Sequence, residues 1–136
     1  MSNIQQTLSI IKPDAVERNL TDKIKSIFVE NDLIIKDNKK IHISKEEAAE
    51  FYKVHQSKPF YNDLCNYLSS GPIVVMILEG KNAVIKNRKI MGATDPKNAE
   101  ENTIRKLYGI SIDKNSVHGS DSTENAKKEI NFFFNN

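Results

Sequence analysis

Residues 115–122 read Asn115-Ser116-Val117-His118-Gly119-Ser120-Asp121-Ser122 and combine a histidine, a glycine and a run of helix N-cap residues. A polar segment follows them and ends in the apolar residues Ile130, Phe132, Phe133 and Phe134. That order predicts a strand, a tight turn and a helix, with Asp121 and Glu124 in capping-box relation and the helix starting directly after Asp121. Unpaired N–H groups at the start of such a helix favour anions such as phosphate, so His118 lies beside a candidate anion site.

The imidazole of His118 can act as a nucleophile or as a base near neutral pH, because its ordinary pKa is about 6.5. A histidine in a turn can equally have a purely conformational role. Which interpretation holds therefore depends on what the rest of the chain supplies.

The composition describes one ordinary globular domain spanning residues 1–136, long enough for a single core. The net charge of +2 is too small to indicate a nucleic-acid or membrane partner. The single cysteine, Cys65, permits no internal disulfide and no cysteine-based metal site, and we expect it to be buried on a helix. No apolar run approaches the ~20 residues of a membrane span, and no signal-peptide pattern is present, so we expect a cytoplasmic protein.

The hydrophobic pattern predicts strands that alternate with helices. Extended runs are predicted at residues 8–11, 33–43, 72–79 and 115–119. Helical patterns follow Asn19, Ser44, Pro59, Asn82, Thr103 and Asp121. When the helical pair after Ser44, the short helical piece after Thr103 and the last helix are left out, the order of elements is βαββαβ. This order indicates an α+β, ferredoxin-like sandwich with a four-stranded antiparallel sheet, an inserted helical pair and a C-terminal helix.

Several separated residues suit phosphate and base binding. Lys12 ends the first strand, and Arg88 and Arg105 lie on either side of the loop 92–103. The length of this loop indicates a functional segment. Arginine and lysine bind phosphate oxygens, and Phe60 could stack on a base. Taken alone, each of the three cations is an ordinary surface charge, and Phe60 is an ordinary core side chain.

Taken together, these segments resemble the nucleoside diphosphate kinases from about residue 7 to residue 133. The resemblance is carried by Ile11-Lys12-Pro13-Asp14-Ala15-Val16, Tyr52, Pro59-Phe60, Ser70-Gly71-Pro72, Arg88, Met91-Gly92-Ala93-Thr94-Asp95-Pro96, Thr103-Ile104-Arg105 and residues 115–122. It implies ping-pong transfer of the γ-phosphoryl group from a nucleoside triphosphate to a nucleoside diphosphate, through a phosphohistidine.

The resemblance also implies a role for individual residues. His118 matches the nucleophile, and Glu129, with Ser120 beside it, matches the carboxylate that orients the imidazole. The matching nucleotide-binding residues are Lys12 and Asn115 for the sugar hydroxyls and the phosphate end, Arg88, Thr94 and Arg105 for phosphate, Tyr52 in the wall, and Phe60, Leu64 and Ile112 for the base. His55 is a further candidate near the phosphates.

The family uses Mg²⁺ carried on the nucleotide, and its members form tetramers or hexamers, so a homo-oligomer is expected here. Asn102 stands where relatives often have glycine before Thr-Ile-Arg, and Asp22 where many have glycine in the first helix. Asn102 could change the backbone of the loop that carries Arg105.

Two other classes of function deserve comparison. An RNA-binding module shares the βαββαβ core, but the chain lacks the aromatic-rich central strand motif of such domains, so we expect no nucleic acid as main partner. An inactive relative kept as an oligomeric scaffold would normally have lost His118 or a phosphate-binding arginine. Only the kinase needs His118.

Overall fold

A computed structural model describes residues 4–111, 114 and 116–134. Its strands are β1 (Ile4–Ile11), β2 (Ile34–Ile41), β3 (Ile73–Lys81) and β4 (Val117–Gly119). Its α-helices are α1 (Pro13–Glu17), α2 (Thr21–Glu30), α3 (Lys45–Phe51), α4 (Tyr61–Leu68), α5 (Ala83–Met91), α6 (Ile104–Tyr108) and α7 (Thr123–Phe134). Short 3₁₀ turns occupy Lys53–His55 and Pro96–Asn98.

The strands form one antiparallel sheet in the order β2-β3-β1-β4. This topology confirms the predicted ferredoxin-like α+β class, with α3 and α4 inserted between β2 and β3. Strand β4 pairs along β1, and the register places His118 opposite Ile10. Because Ile10 is fully buried on a strand that is paired on both sides, the histidine backbone is anchored inside the sheet.

Two apolar layers cover the two faces of the sheet. One layer includes Ile24 and Phe28 of α2, and the other includes Ala48 of α3 and Phe133 of α7. Strand β3 contributes to both layers, since almost all of its side chains are buried or half-buried. The continuous apolar run at 73–78 is therefore a strand covered on both faces, as the sequence pattern predicts.

Local signals place some element ends correctly and others wrongly. Ser44 and Glu47 form the predicted capping box at the start of α3. The helical pattern that begins after Asn19 predicts this residue as the N-cap, but Asn19 has a φ of 60°, and Leu20 occupies the cap position. Asn tolerates this left-handed conformation, so Asn19 redirects the chain between α1 and α2 instead of capping a helix.

Strand β2 lies at the edge of the sheet and has mostly exposed side chains. Its pairing with β3 is interrupted between Ile35 and Asp37, where the register shifts. The polar composition of this segment predicts such a bent edge strand, which is a common way to protect an open sheet edge.

Among the described residues, every helix is either too short or too polar to span a bilayer.

Replacing Ser44 with alanine is expected to lower the free energy of unfolding by about 1 kcal/mol, because the Ser44 hydroxyl that accepts from the backbone N–H of Glu47 is lost. The matched control is Ser26→Ala, which removes a mid-helix hydroxyl bonded to the Asp22 carbonyl and should be neutral or slightly stabilising. Urea unfolding followed by circular dichroism measures both. Equal effects of the two variants would contradict a capping role.

Candidate active site

The histidine lies on β4 and is followed by a closely packed glycine. A Cβ atom added to Gly119 would clash with the ends of the Asn87 and Met91 side chains, both of which are buried. These side chains of α5 therefore pack directly on the β4 backbone. A larger residue at this position would require both side chains to shift.

Two polar side chains hold the imidazole through a chain of hydrogen bonds. Nε2 of His118 lies 3.1 Å from Oε1 of Glu129, and the Ser120 hydroxyl donates to the same oxygen over 2.7 Å. A carboxylate only accepts hydrogen bonds, so Nε2 must carry the proton in this arrangement. In a neutral imidazole, the lone pair then belongs to Nδ1.

Helix α7 brings Glu129 to the histidine. Its first turn differs from the prediction, because the Ser122 hydroxyl, and not the Asp121 carboxylate, accepts from a backbone N–H, that of Asn125, over 3.1 Å. The Asp121 carboxylate instead accepts from the side-chain amide of Asn125 over 2.6 Å. This hydrogen bond is the main reason why the pKa of Asp121 is lowered.

A cavity of about 760 Å³ opens beside the imidazole. Its wall includes most of the predicted site residues: Lys12, Tyr52, Phe60, Leu64, Arg88, Thr94, Arg105, His118 and Glu129. We call this cavity the His118 cleft. Ser120 is fully buried behind Glu129, and His55 is a further wall residue. Ile112 and Asn115 lie outside the described residues, so their proposed roles stay predictions.

One side of the cleft is cationic. Lys12 follows β1, Arg88 lies on α5 and Arg105 on α6, so three separate elements each contribute a positive side chain. Lys12 and Arg105 are each more than nine-tenths buried. Burial, and to a lesser degree the charge of Arg88, lowers the pKa of Arg105 to about 10, which still leaves it protonated at neutral pH.

Arg105 also braces the backbone. Its guanidinium donates to the carbonyl of Gly92 over 3.0 Å and to the carbonyl of Val117 over 2.9 Å. It thus links the end of α5 to the strand that carries His118. Its Nε is buried and has no hydrogen-bond partner among the described atoms. The sequence predicts a phosphate ligand here and gives no sign of the bracing.

The wall of the cleft also contains aromatic side chains. Phe60, at the N-cap position of α4, is 44% exposed, which suits a side chain that stacks on a ligand better than one that fills the core. The ring of His55 lies 6.3 Å from that of Phe60, and burial, followed by the charge of Lys58, lowers the pKa of His55. Tyr52 is buried, which raises its pKa and keeps the phenol neutral.

Some wall residues were not predicted. They include Phe51, Asp121, Asn125, Lys128 and Phe132. Four positions of α7, 125, 128, 129 and 132, follow the i, i+3, i+4, i+7 spacing of one helix face. That periodicity was a usable signal, because a helix that supplies Glu129 must present its whole face to the same cleft.

Comparison with known proteins agrees with the geometry. The family model described as nucleoside diphosphate kinase matches residues 5–136. A nucleoside diphosphate kinase of Nitratiruptor sp. is 60% identical over 131 residues, covering 96% of each chain. One from Campylobacter hominis is 59% identical over the same length, again covering 96% of each chain.

Solved structures agree as well. An orthorhombic crystal form of the Aquifex aeolicus nucleoside diphosphate kinase matches with a TM-score of 0.95 and 41% identity, covering 96% of this chain and 95% of that one. The enzyme from Encephalitozoon cuniculi matches with a TM-score of 0.93 and 37% identity, covering 97% and 90%. The chain therefore belongs to the nucleoside diphosphate kinase family and is a phosphotransferase that acts on nucleotides.

Proposed function

We propose that Nδ1 of His118 is the atom that carries the phosphoryl group between the two nucleotides. The observation that carries this proposal is the hydrogen-bonded chain from Nε2 of His118 through Glu129 to Ser120, at the base of a cationic cleft. The carboxylate selects the tautomer with the proton on Nε2, which leaves the Nδ1 lone pair available for attack.

In the first half-reaction, the Nδ1 lone pair of His118 forms a bond to the γ-phosphorus. The bond from that phosphorus to the bridging oxygen breaks, and the nucleoside diphosphate leaves with the electron pair. The imidazole now carries a positive charge, which the carboxylate of Glu129 stabilises through the Nε2 proton. A second nucleoside diphosphate reverses these steps, so that its terminal oxygen takes the phosphoryl group and His118 returns to its starting state.

The cations of the cleft position the phosphates and balance their charge. Phosphoryl transfer depends mainly on such positioning and on electrostatic stabilisation of the equatorial oxygens. Arg88, Arg105 and Lys12 are assigned to this task, with the hydroxyl of Thr94 as an uncharged donor. The buried guanidinium of Arg105 is fixed by its two backbone hydrogen bonds, so it needs little reorganisation during the reaction.

A divalent metal accompanies the nucleotide in this family, and we assign it as Mg²⁺ held by phosphate oxygens. The donors of the cleft fit this assignment, because Mg²⁺ usually keeps several waters and takes few protein ligands. Asp121 is a carboxylate of the cleft wall that would accept hydrogen bonds from such waters. The metal supplies charge neutralisation for the phosphates.

The proposal places the enzyme in the cytoplasm as a homo-oligomer, either a tetramer or a hexamer, in line with the family.

Incubation of the purified protein with γ-labelled ATP and Mg²⁺, in the absence of an acceptor, tests the proposal. We expect label on the protein that is acid-labile, alkali-stable and transferred to GTP when GDP is added. Nucleotide binding without any labelling would overturn the phosphohistidine mechanism.

Phe60 is expected to support all common bases, because stacking uses the π-face that every base has. ADP, GDP, CDP and UDP should therefore all be accepted. Phe60→Leu keeps the apolar volume but removes the ring, and should raise KM by a factor that is similar for all four, corresponding to about 1 kcal/mol. Phe60→Tyr is the matched control and should keep the KM near that of the wild type. Rejection of pyrimidines would indicate a base-specific contact instead.

A further inference from the structure

The imidazole of His118 lies against the phenyl ring of Phe51. The ring centroids are 5.3 Å apart and the planes meet at 75°, which is an edge-to-face arrangement. Such pairs have a preferred geometry because the positive edge of one ring meets the negative face of the other. The hydrogen bond to Glu129 fixes only Nε2 of the imidazole. The ring is also bonded to the backbone through Cβ, but its rotation about the Cβ–Cγ bond is soft, so a second contact helps to decide where Nδ1 points.

Phe51 is itself held in place. It is the last residue of α3, and its ring centroid lies 5.1 Å from that of Tyr52, 5.7 Å from that of Phe132 and 5.2 Å from that of Phe133. Tyr52 is 6% exposed and Phe133 is 4% exposed. Since these neighbours belong to the packed layer between α3 and α7, Phe51 offers the imidazole a surface that cannot easily move.

We propose that Phe51 is a positioning residue for phosphoryl transfer, whose ring fixes the tilt of the His118 imidazole so that Nδ1 faces the His118 cleft. This inference rests on the proposed role of Nδ1 as nucleophile. Attack on phosphorus requires the lone pair to point along the bond that forms, and a small change in tilt removes this alignment. Phe51 acts through His118, and it adds no charge or proton to the reaction.

The kinetic test compares variants that lose or keep the ring. Phe51→Leu keeps a similar apolar volume but removes the edge-to-face contact, and should slow the single-turnover labelling of His118 about tenfold, or ~1.4 kcal/mol. The dissociation constant of the nucleotide should stay within about twofold of the wild-type value, because ring alignment and nucleotide binding are separate steps. Phe51→Tyr, which keeps an aromatic ring, should restore most of the rate.

Phe28→Leu is the matched control, because it removes a fully buried ring of the same kind from the apolar layer on the other face of the sheet. It should destabilise the fold and leave the labelling rate near that of the wild type, at a temperature where circular dichroism shows all variants to be folded. Equal slowing by Phe28→Leu and Phe51→Leu would overturn the proposal, as would labelling of Phe51→Leu at the wild-type rate.

A second readout does not depend on turnover. Nitrogen-15 NMR of the histidine side chains, assigned with the help of His118→Ala, should show Nε2 protonated and Nδ1 unprotonated in the nucleotide-free wild type above the imidazole pKa. In Phe51→Leu the two His118 signals should move towards each other, because a ring that tilts more freely breaks its hydrogen bond to Glu129 more often and then also populates the other tautomer. Unchanged His118 signals in Phe51→Leu would overturn the positioning role. Failure of the wild type to label would count only against the proposed function.

Discussion

Replacement of His118 by alanine is expected to abolish phosphoryl transfer, with a loss of about 10⁴-fold or more in kcat, because no other group can take the place of the nucleophile. The fold should survive the change. The His118 side chain is 22% exposed, and β4 is held to β1 by backbone pairing that alanine can also make. Nucleotide binding should also persist, since the cations that we propose to hold phosphate are on other elements.

The measurement is incorporation of label from γ-labelled ATP, followed by steady-state transfer to GDP. His42→Ala is the matched control. Its ring is exposed and bonded to the carbonyl of Ser69, so its loss should leave both assays unchanged. Turnover retained in His118→Ala would end the assignment of the phosphohistidine to this residue.

Replacement of Arg105 by alanine is expected to lower both catalysis and stability. If Arg105 binds the transferred phosphoryl group as proposed, loss of this fixed cation should cost ~2–4 kcal/mol of transition-state stabilisation, by analogy with the loss of one oxyanion donor. Loss of the two hydrogen bonds to Gly92 and Val117 should also lower the free energy of unfolding by about 2 kcal/mol, because both carbonyls lose a charged donor.

Arg88→Ala is the variant to compare with Arg105→Ala. Arg88 lines the same cleft but is exposed, so its loss should reduce kcat/KM with little change in urea unfolding. Comparison of the two variants therefore separates the contribution of Arg105 to phosphate binding from its bracing of the backbone at Gly92 and Val117. An unchanged kcat/KM in Arg105→Ala would remove this residue from the phosphate site, and an unchanged unfolding midpoint would show that its backbone contacts contribute little.

The sequence determined the order and type of most elements, because these depend on neighbours a few residues apart. Short apolar or extended runs marked the strands, and the continuous run 73–78 marked β3 as covered on both faces. The pair Ser44 and Glu47 marked the start of α3. The sequence predicts helix caps at Asn19 and at Asp121. In the structure each cap lies one residue later, at Leu20 and at Ser122.

The candidate site was identified in the sequence through its resemblance to a family, and no local rule could have assembled it. Lys12, Arg88 and Arg105 are far apart along the chain, and each alone is an ordinary surface charge. Only the packing of α5 and α6 beside β4 brings them to one cleft with His118.

The tertiary structure alone decided how the imidazole is held. Glu129 is eleven residues from His118, and it reaches Nε2 only because α7 folds back over the sheet. Phe51 reaches the same ring from α3, a different part of the chain. Sequence periodicity reports which face of an element is buried, since that follows from backbone geometry. Which side chains then meet across elements depends on packing between segments that are distant in sequence, and that packing also fixed the bracing role of Arg105.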